Sequence, residues 1–367
     1  MNIVYTRSST IYDDSRATKE IIALLDKGHH ISVLGWNRNG LAEKQCRKLF
    51  KEYGTQIKLS FFDENDGSTR VKKMAKRLKW GKWLKHELQN EPTVDLIHAC
   101  DYDTGAIVCE YANDNGIKYI YDIYDYYVDA HPVPALLKKY IEKKETDVIN
   151  KAALVIICTE ERRNQISHAT PRRLIVIHNS PEVVSVKPSK ENYDYTYCGS
   201  LYAGRLLKEI FEKYSYYKQF KMAIAGYGEY EHCAKTLSDK FQNFTYFGSI
   251  PYADVLEIEK QSKVISAIYE PTIRNHQLCA PNKFYEALAL GKPVIVCRGT
   301  GIDRVVIQEK IGCVIDYDAK QFYDALDYLV CNDAVRKEMG EKARKLYEQK
   351  YKWSLMRERL LYEYDRL

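Results

Sequence analysis

No pair of the ten cysteines has Cys-x-x-Cys spacing, which leaves no basis for a structural zinc site or a redox dithiol. Several sit inside apolar runs such as "LVIIC" and "PVIVC", where they read as small buried hydrophobes of a reducing compartment. No apolar run approaches the roughly 20 residues that a membrane span needs. The opening "MNIVYTRSST" lacks a signal core, so a cytosolic protein is expected. No P-loop, Gly-x-Ser-x-Gly elbow or Cys–His signature occurs. "GYGEY" (226–230) lacks the third glycine of a dinucleotide fingerprint and reads as a strand-to-helix turn near a nucleotide. Neither charge sign dominates: 56 basic against 50 acidic residues leave +6, too mild for a protein basic all over.

What is present is alternation. "NIVYT", "HISVLGW", "IKLSFF", "VDLIHAC", "IKYIYDI" and "ALVIICT" predict strands, with helical patterns between them at 15–28, 40–52 and 103–115. "YDYTYCG", "FKMAIAG", "FTYFGSI", "KVISAIY", "KPVIVCR" and "GCVIDY" repeat the style. Strands separated by helices imply parallel sheets with right-handed crossovers. The chain of 367 residues is long enough for two α/β, Rossmann-like domains, expected at 1–178 and 179–345. Their linker falls within 178–194, and an amphipathic helix at 346–367 is expected to pack back on the first domain. Ligands of such sheets bind at the carboxyl ends of the strands, here in the cleft between two facing domains.

The most informative stretch is "CAPNKFYEALALGKPVIV" (279–296). Pro281 opens a helix and Gly291 closes it. Asn282, Lys283 and Glu286 share one face of its first turns, where free N–H groups and the positive dipole end favour an anion. A lysine there suits a phosphate, and a glutamate one turn on can accept two ribose hydroxyls. The same pair is equally accounted for by an exposed i,i+3 ion pair.

This stretch resembles the donor-binding helix of family 4 retaining glycosyltransferases, the glycosyl transferases group 1, of GT-B fold. "DSRATKEIIALLDKGHHISVLGW", "VDLIHACDYDTGAIVCEYANDNGIKYIYDIYDYY" and "YTYCGSLYAGRLLKEI" are similar to further family segments, in order, over most of the chain. The resemblance implies a GT-B fold and a nucleotide-diphosphate-sugar donor, UDP- or GDP-linked, held by the second domain. Glu286 would bind the ribose, Lys283 and Arg205 would neutralise the departing pyrophosphate, and Cys279, Ala280, Pro281 and Asn282 would hold sugar and phosphate. Retention of configuration by front-face attack is the implied chemistry. Leu278 stands where the family often has a sugar-contacting glutamate, and Cys100 where it often has a histidine. Asn275, His276 and Gln277 are nearby substitutes for the first, Asp101 or His98 for the second. "DYD" (101–103) matches an Asp-x-Asp metal motif of another fold, but with Lys283, Arg205 and a helix N-terminus available no metal or other cofactor is expected.

The acceptor is expected on the first domain, with Ser8, Ser9, Asp14, Arg16, His98 and Asp101 as candidates and the aromatic, acidic "YDYYVD" (124–129) as a second wall; helix capping accounts for Asp14 as well, and a hydrogen-bonded core position at a strand end for His98. A basic arm, "TRVKKMAKRLKWGKWLKHEL" (69–88), has no acidic residue before Glu87. In helical register Val71, Met74, Ala75 and Leu78 form a stripe expected to face the core. Trp80 and Trp83 then fall on the far side with Lys72, Lys73 and Lys76, the pattern of a helix resting on an anionic bilayer, with a solvated basic face whose tryptophans pack on a neighbouring loop as the alternative. Together these features predict a retaining transferase adding sugar to a glycan or glycolipid acceptor, lipid-linked, for cell-surface polysaccharide at the cytoplasmic face of the membrane. The alternative is a catalytically degenerate GT-B-like protein that binds a membrane or a partner. Nucleic acid is not an expected partner, for no recognition module accompanies the arm.

Overall fold

The computed structural model describes residues 1–65, 67, 69–131, 133–183 and 189–367, with Arg70 described in its backbone only. Positions 184–188 of the expected linker therefore lie outside the described residues. The chain divides into two compact units, Met1–His178 with Met356–Leu367, and Asn179–Leu355. The return to the first unit thus starts at Met356, and residues 346–355 group with the second.

The first unit is a sheet of seven strands: β1 (Asn2–Thr6), β2 (His30–Asn37), β3 (Ile57–Asp63), β4 (Leu96–Cys100), β5 (Lys118–Ile123), β6 (Leu154–Ile157) and β7 (Leu174–Val176). Their order is β3-β2-β1-β4-β5-β6-β7, all pairs parallel. The near-continuous apolar strands, such as the fully buried "LVII" of β6, are what a sheet covered on both faces requires. Its helices are α1 (Ser15–Asp26), α2 (Ala42–Leu49), α3 (Arg70–Asn90), α4 (Tyr102–Asn115), the short α5 (Tyr127–Ala130) and α6 (Ala135–Lys151). Asp14 caps α1 through the amides of Arg16 and Ala17, and Gly116 ends α4 in the left-handed region at φ 67°.

The second unit has six parallel strands: β8 (Tyr193–Cys198), β9 (Met222–Ala225), β10 (Phe244–Tyr246), β11 (Ser262–Ala267), β12 (Val294–Cys297) and β13 (Gly312–Ile315), in the order β10-β9-β8-β11-β12-β13. Helices α7 (Leu207–Lys213), α8 (Glu231–Lys240), α9 (Tyr252–Lys260), α10 (Asn282–Leu290), α11 (Ile302–Glu309), α12 (Ala319–Cys331) and α13 (Asp333–Leu346) complete it. The last helix, α14 (Trp353–Tyr364), ends in the first unit. Each unit carries its own apolar core. Seven cysteines are buried, Cys313 is half-buried, and Cys233 and Cys331 are exposed.

One expectation is reversed. Val71, Met74 and Leu78 are 79%, 67% and 64% exposed, whereas Trp80, Leu84 and Leu88 are fully buried at i, i+4 and i+8. Trp80 stacks on Trp36 with ring centroids 5.7 Å apart and on Trp83 at 5.2 Å, and Phe62 closes the cluster. The tryptophans therefore belong to the core and are not membrane contacts, because the large rings win the sheet-facing positions over the smaller aliphatic stripe. Gly81 lies inside α3, where it lets Ile107 of α4 approach, for a Cβ there would lie 3.2 Å from the Ile107 Cδ1.

Candidate functional site

In the second unit the chain leaves β8 toward β9 on one side, and β11 resumes on the other. Loops after β8 and β11 diverge at this point, which is where a parallel sheet opens a crevice at its carboxyl edge. Glycines set its floor. Gly226 and Gly228 hold φ values of 135° and 146°, and their amide and carbonyl neighbours lie against Gly199 and Leu201. A Cβ on Gly226 would sit 1.7 Å from the Gly199 carbonyl oxygen, so "GYGEY" is a turn that must pass close to the loop after β8.

Two cations enter this crevice. Lys283, in the first turn of α10, places its Nζ 4.7 Å from the Tyr197 ring centroid and directly over Gly199. Arg205, in the loop after β8, lies 3.9 Å above the Tyr269 ring. It also bonds the Gly204 carbonyl at 3.2 Å and His276 Nε2 at 3.0 Å. His276 Nδ1 meets the Glu270 carbonyl at 3.1 Å, so it carries the proton and Nε2 accepts from the guanidinium. His276 thereby holds Arg205, and Gln277 donates to the Pro271 carbonyl at 2.9 Å. Burial pushes the Tyr197 hydroxyl up to about 12 against the pull of Arg205, and raises that of Tyr269 against both cations. Among the described residues neither Lys283 nor Arg205 is ion-paired. Pro281 immediately precedes α10, no side chain caps its N-terminus, and Gly291 closes it at φ 66°.

The remaining donor-side residues divide. Asn282 is exposed, while Cys279, Ala280 and Pro281 are buried, with Asn179 donating to the Ala280 carbonyl at 2.8 Å. Glu286 is only 3% exposed, so it does not face outward with Asn282. A residue that sequence reasoning missed lies beside it: Glu259 of α9, fully buried, with neither carboxylate oxygen hydrogen-bonded among the described residues. Burial, and then the Glu286 charge, raise the Glu259 carboxyl well above the usual range against the pull of Lys283. Nothing in "EIEKQ" separates it from a surface glutamate. A depression of about 400 Å³ lined by Lys292, Pro293 and Arg336 opens at the amino ends of β11 and β12, away from these groups.

The acceptor candidates of the first unit lie at or beneath the carboxyl edge of its sheet. Ser8 donates to Asp103 at 2.5 Å, and Ser9 accepts from the Ile11 amide. Asp101, at φ 63°, accepts from the amides of Tyr124 at 3.0 Å and Asp125 at 3.3 Å. Burial pushes its carboxyl up to about 7 against the pull of Arg7, 3.5 Å away. Asp14 is engaged in capping α1 and in an ion pair with Arg7. Arg16 and His98 are corrections. Arg16 is 5% exposed and pairs with Glu20 at 3.1 Å and Asp122 at 2.5 Å. His98 is fully buried, stacked on Tyr5 at 4.4 Å and hydrogen-bonded to Tyr364 at 2.5 Å. Both are committed to this internal network and are out of an acceptor's reach.

His98, Cys100 and Asp122 also bring metal-ligating atoms within 4.8 Å of one another. Asp122 is already neutralised by Arg16, and burial raises the Cys100 thiol well above its ordinary value. The set is accounted for as part of the core. The two aspartates of "DYD" are engaged separately, one by backbone amides and one by Ser8.

Two parallel sheets of this order, each flanked by helices, define the GT-B architecture, and the second sheet has Lys283 and Arg205 at its switch point. Residues 200–346 match the family model of glycosyl transferases group 1. Anabaena HepE, solved with UDP, is 12% identical over 100% of both chains with a TM-score of 0.70. A TarM variant of S. aureus, solved with fondaparinux, alpha-GlcNAc-glycerol and UDP, is 14% identical over 98% of this chain and 99% of that one, with a TM-score of 0.68. WaaG, a glycosyltransferase involved in lipopolysaccharide biosynthesis, is 13% identical over 98% of both, with a TM-score of 0.64. At these identities the likeness establishes the fold. No curated protein matches the chain.

Proposed function

We propose that this protein is a retaining glycosyltransferase that moves a sugar from a nucleotide-diphosphate sugar to a glycan acceptor. The observation that carries the reading is the convergence of Lys283 and Arg205, both without an ion-pair partner among the described residues, at the β8/β11 switch point beside the uncapped N-terminus of α10. In transfer, the bond from the anomeric carbon to the β-phosphate oxygen breaks, and a bond to an acceptor hydroxyl oxygen forms on the same face. The hydroxyl proton passes to the departing phosphate. Negative charge on the diphosphate grows along this path, so fixed cations aimed at it stabilise the transition state more than the ground state. Glu286 receives the ribose, with Glu259 as its buried neighbour. Lys283, Arg205 and the α10 amides supply the charge, and the reading needs no metal.

The acceptor is a lipid-linked glycan of cell-surface polysaccharide, reached from the cytoplasmic face by a peripheral protein. The involvement of WaaG in lipopolysaccharide biosynthesis and the UDP bound by HepE and by the TarM variant support this direction and the choice of UDP. No helix of the described residues is long and apolar enough to cross a membrane. A second reading, a degenerate GT-B scaffold, is favoured by Leu278 and Cys100, which stand where sugar-contacting side chains are expected. Purified protein incubated with UDP- and GDP-sugars separates the two. Release of nucleoside diphosphate that rises with an added glycan acceptor supports transfer. Release without any acceptor dependence identifies a hydrolase or epimerase, and no release with any donor leaves the degenerate scaffold.

A further inference from the structure

Two helices of the first unit overhang its core in the same way. In α3 every described side chain from Val71 to Ala75 is exposed, and the buried stripe begins only at Trp80. In α6 the buried stripe begins only at Glu145, and Leu136, Leu137 and Tyr140 before it are 95%, 50% and 60% exposed. Helices that follow parallel strands start at the carboxyl edge of the sheet. The overhangs of α3, which follows β3, and α6, which follows β5, therefore project from one edge. Both helices pack against α4. Arg77 of α3 donates to the Tyr127 hydroxyl of α5 at 2.9 Å, the Tyr127 ring lies 5.1 Å from that of Tyr102 at the start of α4, and α5 in turn packs against α6.

Each exposed apolar group sits among cations. Val71, Met74 and Leu78 alternate with Lys72, Lys73 and Lys79, and Leu136, Leu137 and Tyr140 with Lys138, Lys139 and Lys144, whose Nζ lies 5.8 Å from the Tyr140 ring centroid. Among the described residues Lys72, Lys138 and Lys139 have no ion-pair partner. A soluble face has no use for a Leu at 95% exposure beside two unpaired lysines, whereas a partner that is negative at its surface and apolar just beneath satisfies both at once.

We propose that the tips of α3 and α6 form a two-part docking surface for an anionic phospholipid bilayer. Val71, Met74, Leu78, Leu136 and Leu137 enter the interface, while the lysines meet the headgroups. The surface rests on these helices and not on the transfer reading. If that reading holds, it brings lipid to the carboxyl edge where Ser8, Asp101 and Asp103 lie.

The test is co-sedimentation of the full chain with vesicles of phosphatidylcholine alone and of equimolar phosphatidylcholine and phosphatidylglycerol. Wild type is expected in the pellet with the second and not the first. Met74→Glu/Leu78→Glu and Leu136→Glu/Leu137→Glu should each lower the partition coefficient at least about tenfold. With each lysine worth roughly fivefold near such a surface, Lys138→Gln/Lys139→Gln should lower it roughly 25-fold. Circular dichroism melts matching wild type show that the variants fold, and Tyr216→Glu, at an exposed position of the second unit, should bind as wild type does. Wild type that stays in solution with both vesicles, or variants that pellet equally, overturn the proposal. So does a dimer in sedimentation velocity that Met74→Glu/Leu78→Glu dissolves, because the face would then pair copies of the chain. UDP titration in parallel keeps a failure here distinct from a failure of the donor site.

Discussion

Replacing Lys283 by Met keeps the alkyl stem over Tyr197 and deletes only the charge. The transferring phosphate gains about one negative charge as the sugar leaves. At about 4 Å and an effective dielectric of roughly 20, a fixed unit charge is worth roughly 4 kcal/mol to that change. Lys283 is half-buried and shares the task with Arg205, so a loss of about 3 kcal/mol, or on the order of 10²-fold in turnover, is expected. The assay is steady-state nucleotide release with the preferred donor and acceptor. The loss should fall mainly on kcat with donor KM changed far less, since the charge acts on what develops in the transition state. Turnover equal to wild type, or a loss confined to KM, would refute the assignment of Lys283 as a leaving-group clamp.

Gly199→Ala tests the same geometry from below: its Cβ would lie 2.3 Å from Lys283 Nζ and at φ 152°, so nucleotide release should drop at least about tenfold even where a thermal melt shows a folded chain. Trp80→Ala should lower unfolding free energy by about 3–5 kcal/mol in urea titration and Leu78→Ala by less than about 0.5 kcal/mol; similar losses would contradict the register of α3. Glu145 is buried, accepts from Tyr121 at 2.9 Å, and has its carboxyl pushed up to about 8 by burial. The folded state therefore holds its proton more tightly than the unfolded one. Stability is full below the ordinary carboxylate range and falls as pH rises through about 8. Glu145→Gln should remove that fall, a gain over wild type on the order of 3 kcal/mol at about pH 9 that is absent at about pH 4, read from denaturant midpoints.

Most strands were legible because their apolar runs alternate with amphipathic helices, and tertiary packing did not contradict that pattern. The β7 strand was not, since Leu174–Val176 is three residues long and has no period to read. The register of α3 was misread because an aliphatic stripe and a tryptophan stripe compete in one helix, and only the Trp36 and Phe62 rings decide between them. On the donor side, residue types and the cap at Gly291 placed Lys283 correctly at the start of a helix. The depth of Glu286 depends on α9, which local sequence does not bring near. Arg16 and His98 were chemically suitable for an acceptor, but partners far along the chain, Asp122 and Tyr364, absorb them into the core.

The central claim is that a nucleoside diphosphate sits at the β8/β11 switch point. A crystal structure of the protein soaked with UDP tests it most directly. The account predicts the diphosphate within ion-pair reach of Lys283 and Arg205 and the ribose at Glu286; a diphosphate bound elsewhere, or none at saturating UDP, would contradict it.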